Sequence, residues 1–377
     1  MVDVMKSLNL LETLKESVDT NKLSEVKDAV EDLLISRINV GVVGDRCPEK
    51  TTFLNSLRGL GVGDEGAAVY PTTAGSEEVV GYPDPKHADF RLWDLPPVST
   101  ASPFEPGSYM DKYKFMRYNA VFMTSTDIPQ SNSVTIFLEA RSLQNKTVYF
   151  VILVSDKNKT PEDERKASLE VLTSQGVAIP KVYIVNLSCL EKLDFPVLLE
   201  DMGQDLPEIR AHALLLALPI LTPALVTQKK ETFKALVWAA ASLSGGISTF
   251  PVPFVASMVD SSIGVRILSK AQVSLCLDNK SLEGLAKLRG LDPGRLKVLR
   301  TCVLSVEVSK GEVKKRLAAA EMDLSTVSSR LVQMAMPRQA RSASKSFAAM
   351  LQALNTAIDE MATDAEKIVQ MVLAEGH

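Results

Sequence analysis

The sequence predicts an α/β domain with a doubly wound, mainly parallel sheet, set between N- and C-terminal helical segments. Three observations predict it. β-Branched and aromatic runs recur between residues 38 and 185 with helix-length segments between them. Apolar residues before that region repeat at helical spacing, and after Phe195 the β signal gives way to Ala, Leu, Lys and Glu. The 377 residues suffice for about two or three folding units. The expected division is an N-terminal helical segment over 1–35, the sheet-bearing domain over 36–200 and a helical domain over 201–377.

The elements follow in order. From Leu8 to about Arg37, residues such as Leu23, Val26, Val30 and Leu33 predict one or two amphipathic helices. Ile38–Val43 then reads as a strand, Gly44 opens a loop, and Lys50–Arg58 reads as a helix. Further strands are expected at Glu77–Gly81, Phe90–Asp94, Ala120–Thr124, Val148–Val154 and Val182–Val185, with helices at Ser131–Leu143 and Glu162–Ser174. Val148–Val154 is apolar throughout, as a central strand covered on both faces should be. The apolar stretch Phe233–Val259 is broken by Ser242, Gly245, Gly246, Pro251 and Pro253. That predicts a buried helical hairpin instead of a membrane span, which needs about 20 unbroken apolar residues. Leu351, Leu354, Ile358, Met361, Ile368 and Val372 predict one long packing helix over Phe347–Leu373.

Composition narrows the function classes. Hydrophobic residues make up 46% and charged residues 23%, the balance of an ordinary globular chain. Lys plus Arg number 42 against 46 Asp plus Glu, so no basic excess points to nucleic acid. Four scattered cysteines without CxxC spacing predict reduced thiols in a cytoplasmic protein, and three histidines argue against a zinc site or a histidine triad. The opening MVDVMKSLNL lacks the apolar core of a signal peptide, and Val2 excludes an N-myristoyl anchor. Membrane contact is therefore expected to be peripheral at most.

The segment after the first strand carries the chemistry. A P-loop needs Gly for its turn, a second Gly before Lys for close backbone approach to phosphate, then Lys for charge and Ser or Thr for Mg²⁺. The chain reads Gly44-Asp45-Arg46-Cys47-Pro48-Glu49-Lys50-Thr51, with every element in register except the second Gly, which is Glu49. Gly44, Lys50, Thr51 and Thr52 are thus candidate phosphate-binding residues. A Mg²⁺-binding Asp should end a later strand, followed at the third residue by a Gly whose N–H meets the γ-phosphate. Asp94 is kept and the Gly is Pro97, which has no N–H. Thr72 and Thr73 stand where a metal-binding switch threonine belongs. Asp156 stands where a guanine-reading Asp follows a buried strand, but Leu153 and Val154 replace the Thr-Lys pair before it.

At this point the chain resembles the immunity-related GTPases. The resemblance runs through Phe53-Leu54-Asn55-Ser56-Leu57-Arg58-Gly59, Thr72-Thr73, Tyr82-Pro83-Asp84-Pro85, Trp93-Asp94-Leu95-Pro96, Tyr109, Lys114-Phe115 and Asp194-Phe195-Pro196. It continues through Leu282–Leu288 and Asp364-Ala365-Glu366, and so spans nearly the whole length. It implies a P-loop GTPase-like domain, a guanine-nucleotide site with Mg²⁺, self-association and membrane-associated or immune roles. The departures at Glu49, Pro97, Leu153 and Val154 resemble the family's quasi-GTPase branch, in which the fold is kept and the nucleotide motifs decay.

Those departures have a physical cost. Glu49 sets a carboxylate against the phosphate that Lys50 and the helix N-terminus would attract, and one lost charge-assisted contact is worth about 1.5–3 kcal/mol. Pro97 removes a γ-phosphate donor. The expectation is a scaffold or regulator acting through protein partners, cytoplasmic or peripheral on intracellular membranes, with no catalytic residue and GTP or GDP with Mg²⁺ bound weakly if at all. The alternative is a weakly active GTPase working through family-type oligomerisation. A third reading, an adaptor with aromatic-xx-aliphatic motifs, would use Phe195–Leu198 or Phe233–Leu236.

Overall fold

The computed structural model describes residues 5–20, 22–44, 47–70, 78–143, 147–154, 160–219, 222–245, 263–326 and 345–374. These form two compact units, Ile35–Leu218 on the one hand and Met1–Leu34 with Pro219–His377 on the other.

The Ile35–Leu218 unit is built on a six-stranded sheet in the order β2-β3-β1-β4-β5-β6. Its strands are β1 (Ile38–Gly44), β2 (Val80–Pro83), β3 (Phe90–Asp94), β4 (Ala120–Ser125), β5 (Thr147–Val154) and β6 (Val182–Asn186). All neighbours pair in parallel except β2 with β3. Its helices are α3 (Pro48–Leu57), α4 (Pro106–Lys112), α5 (Ser131–Leu143), α6 (Pro161–Ser174), α7 (Phe195–Asp205) and α8 (Glu208–Ala217). Parallel strands need helical crossovers, which is why helices cover both faces. The pleat divides β4 accordingly. Val121 and Met123 join Tyr109, Val134 and Phe137 of α4 and α5 in one core. Phe122 faces the other way, its ring 5.6 Å from that of Phe53 in α3.

On that second face Met202, Leu214 and Leu218 meet Val40, Leu92 and Phe122 around a small cavity. Helices α7 and α8 therefore belong to the sheet, and the unit runs to residue 218 instead of the expected 200. Phe195 and Leu198 are buried here, and Phe233 and Leu236 are buried in the other unit. None of the four offers a surface motif, so the adaptor reading fails.

The other unit is helical. It contains α1 (Met5–Asp19), α2 (Leu23–Ile35), α9 (Pro223–Gly245), α10 (Ile263–Ser274), α11 (Asn279–Arg289), α12 (Pro293–Lys297), α13 (Val303–Val306), α14 (Lys310–Thr326) and α15 (Lys345–Ala374). The N-terminal helices are not a separate segment, because α1 packs on α9, which also receives α15. Leu354, Ile358, Met361, Ile368 and Val372 bury the face of α15 that their spacing predicts. The expected hairpin over Phe233–Val259 is described only to Gly245, and residues 246–262 lie outside the described residues. No described helix is long and apolar enough to cross a membrane.

Asp364 of α15 ties this unit together. Its fully buried carboxylate accepts from the Thr301 and Cys302 N–H groups, both at 2.8 Å, at the start of α13, and from the Thr301 hydroxyl at 2.7 Å. Burial pushes its pKa up, but these hydrogen bonds outweigh burial and hold it below the ordinary carboxylate range. A depressed carboxylate contributes stability that is present above its unfolded pKa and lost as pH falls through the folded one. Urea unfolding should therefore show stability falling below about pH 4, with a shallower acid slope in Asp364→Asn, which is also less stable at pH 7.

Candidate functional site

Parallel topology places the C-terminal ends of β1, β3, β4, β5 and β6 along one edge, the position at which open α/β sheets bind ligands. Gly44 ends β1 there. A Cβ on Gly44 would lie 2.3 Å from the carbonyl oxygen of Thr124, so backbone packing alone demands glycine at this position. The Thr124 hydroxyl donates to the Val43 carbonyl at 2.9 Å, locking β4 against β1 beside the loop.

Helix α3 starts at Pro48, whose missing N–H suits the first helical position. Its cap is Cys47, whose sulfur accepts from the Lys50 N–H at 3.4 Å, and burial raises the thiol pKa. Thr51 sits one turn inside the helix. The Thr52 hydroxyl donates to the Pro48 carbonyl at 2.9 Å and so turns back into its own helix.

Lys50 is the centre of the arrangement. A lysine at a helix start is ordinarily solvated, yet Lys50 is only 3% exposed. Its ammonium donates to the carbonyls of Leu95 at 2.7 Å and Gly44 at 3.2 Å, and lies 2.6 Å from Asp94 Oδ1. The residues predicted to bind phosphate and metal are thus joined directly to each other. Glu49 is half-buried in the first turn of α3, where its carboxylate meets the Cys47 thiol.

The segment after Asp94 is fastened at several points. The Leu95 N–H donates to the Val42 carbonyl at 2.9 Å, and the Tyr109 hydroxyl to the Pro96 carbonyl at 2.6 Å. The Asn132 amide donates to Ser99 and Ala101 carbonyls at 2.5 and 3.2 Å. Val98 is buried between these points and Pro97 is exposed. At the far end of the edge, Leu153 and Val154 serve the sheet, in register with Val185 and Asn186 of β6. Thr72, Thr73 and Asp156 lie outside the described residues. The roles of Thr124 and Asn132 left no trace in the motifs, because a lone hydroxyl or amide carries no spacing signal, and Leu95 entered only within the family-like Trp93-Asp94-Leu95-Pro96 run. Tyr109 was visible only through the family resemblance.

Strand order, a loop and helix following the central β1, and an acid ending the neighbouring β3 define an α/β domain of the P-loop GTPase class. The chain belongs to the interferon-inducible GTPase family, whose model matches residues 6–372. It is 30% identical to interferon-inducible GTPase 5 of Bos taurus over 97% of this chain and 82% of that protein. It is 29% identical to interferon-inducible GTPase 5 of Rattus norvegicus over 97% and 83%. It is 26% identical to interferon-inducible GTPase 1 of Mus musculus over 70% and 67%.

The Lys50–Asp94 pair yields a stability prediction. Removing one member of a buried pair strands the other charge. Asp94→Ala should lower the stability to urea by about 1–3 kcal/mol, discounted because Asp94 is partly in water. The loss should persist at high salt, since the lysine it strands is buried. An unchanged midpoint would show that the two carbonyls alone satisfy Lys50.

Proposed function

We propose that this chain is a member of its family with an impaired guanine-nucleotide site, working as a non-catalytic scaffold or regulator through protein partners. In this reading it is cytoplasmic, with peripheral contact at intracellular membranes. The observation that carries it is the engagement of Lys50, whose ammonium already has protein acceptors in Gly44, Leu95 and Asp94. Phosphate would have to displace a carboxylate from a buried cation and approach a helix whose first turn carries a second carboxylate, Glu49.

As they stand, the residues present do not fit a Mg²⁺-bound guanine nucleotide. Asp94 would be shared between lysine and metal, Pro97 offers no N–H to a γ-phosphate, and Leu153 and Val154 replace the residues that flank a base-reading aspartate. The fastened segment from Leu95 to Ala101 supports the same reading, because a ligand shifts a conformation only through differential contacts with two states. One observation favours the alternative of a weakly active GTPase: Gly44, Lys50, Thr51 and Asp94 all keep their register.

Calorimetry separates the two. Purified protein is expected to carry no stoichiometric guanine nucleotide and to bind GTP no tighter than high micromolar, with or without Mg²⁺. Submicromolar binding, or Mg²⁺-dependent hydrolysis abolished by Lys50→Ala, would establish the GTPase instead. Glu49→Gly removes the opposing carboxylate and should raise affinity roughly 10- to 100-fold. Pro97→Gly should add less.

A further inference from the structure

One row of residues crosses the sheet from a covered end to an open one. Val121 of β4, Gly41 of β1, Trp93 of β3 and Gly81 of β2 are paired in register, so all four lie on the same face. Val121 is buried with the side chains of α4 and α5, whereas Gly81 is exposed, as are Pro83 and Arg91, the next pair on that face. Trp93 lies half-buried at the boundary. Its ring extends over Gly81, where a Cβ would stand 2.6 Å from it, and its indole N–H donates to the Asn39 amide oxygen at 2.9 Å. On the ring stands the guanidinium of Arg117, from the 3₁₀ turn Phe115–Arg117, 3.4 Å from the ring centre. Stacking holds Arg117 by its flat face, and among the described residues its side-chain N–H groups have no acceptor. Arg91 uses only its Nε, on the Ala88 carbonyl at 3.2 Å. The two segments that border this face, 86–91 and 111–117, expose Lys86, Arg91, Lys112, Lys114 and Arg117 against Asp89 and Asp111.

We infer that this open end of the sheet face is a docking surface for an acidic segment of a partner protein. Arginine clusters recognise acidic motifs because a planar guanidinium meets a carboxylate with two parallel hydrogen bonds. Here two guanidiniums with unused donors flank a held indole, which supplies the flat apolar contact that a charged rim alone lacks. The excess of exposed positive charge selects an acidic occupant. The surface gives the proposed scaffold a class of partner, and rests on that reading only for its purpose, since it uses neither Lys50 nor Asp94. A chain that proved to bind GTP tightly would lose the scaffold reading and keep this surface.

The test uses the full chain without nucleotide and a fluorescein-labelled peptide of alternating Glu and Gly, with a Gln-for-Glu peptide as control. Anisotropy should rise to saturation with the acidic peptide, stay flat with the control, and fall back as salt screens the contact. Trp238, the other tryptophan, is buried, so a change in tryptophan emission on adding unlabelled acidic peptide reports Trp93. Arg91→Gln with Arg117→Gln should weaken binding about tenfold or more. Both positions are exposed, so the fold should hold, which thermal melts check, and Lys114→Gln should give a second, smaller loss. Equal binding of both peptides or of neither, an affinity unchanged in well-folded variants, or binding that leaves tryptophan emission unaltered would each overturn the assignment. So would phosphatidylserine vesicles that bind through the same arginines while the peptide does not, which would assign the face to a membrane instead.

Discussion

The structure around the loop depends on one requirement, that the buried ammonium of Lys50 be satisfied. An unpaired buried cation is too costly to keep, and lysine has three N–H donors to place. Here they reach the end of β1 through Gly44, the residue after β3 through Leu95, and the end of β3 itself through Asp94. One side chain from α3 thereby fixes how two neighbouring strands end and where the helix starts between them. A loop that presents lysine at this position always calls for anionic or carbonyl oxygens around it. In this chain the protein supplies them itself.

That self-sufficiency extends along the segment that follows. Once Leu95 is held by Lys50 and by Val42, the chain direction at Pro96 is set, and the Tyr109 hydroxyl can reach its carbonyl. Tyr109 in turn packs its ring 4.6 Å from Tyr113 and 5.9 Å from Phe115. Asn132, at the start of α5, closes the far end through Ser99 and Ala101. The contacts run from a polar centre into an aromatic core, so rearranging the segment would disturb packing as well as hydrogen bonds.

The sheet was legible because its strands are covered on both faces. β5 reads as an unbroken apolar run, and α5 falls on the expected Ser131–Leu143. β2 was harder to place, since its residues are mostly exposed and carry neither period nor apolar run. The extent of the sheet-bearing unit escaped the sequence for another reason: α7 and α8 have the same kind of amphipathic pattern as the helices beyond them, and pattern does not say against what a helix packs. Within the site, residue types and order were readable and the connections between them were not. Spacing placed Lys50 and Asp94 in register as if toward a shared ligand, whereas only coordinates reveal that each is the other's partner.

The same limit applies to charge. A formal net charge of −4 shows no overall basic excess, but it averages over local differences. Several of the charges serve the fold directly: Asp201 accepts from Lys181 and Tyr183, Asp205 from Tyr149, and Arg300 donates to the Leu277 carbonyl. Exposed valines at Val298, Val303 and Val306 add nothing to the core beneath them, where Leu296 and Leu304 already fill the buried positions. What folding does use of these charges shows only as contacts, as where the Lys297 ammonium meets Glu283 at 2.8 Å, and a sum over the chain carries no trace of them.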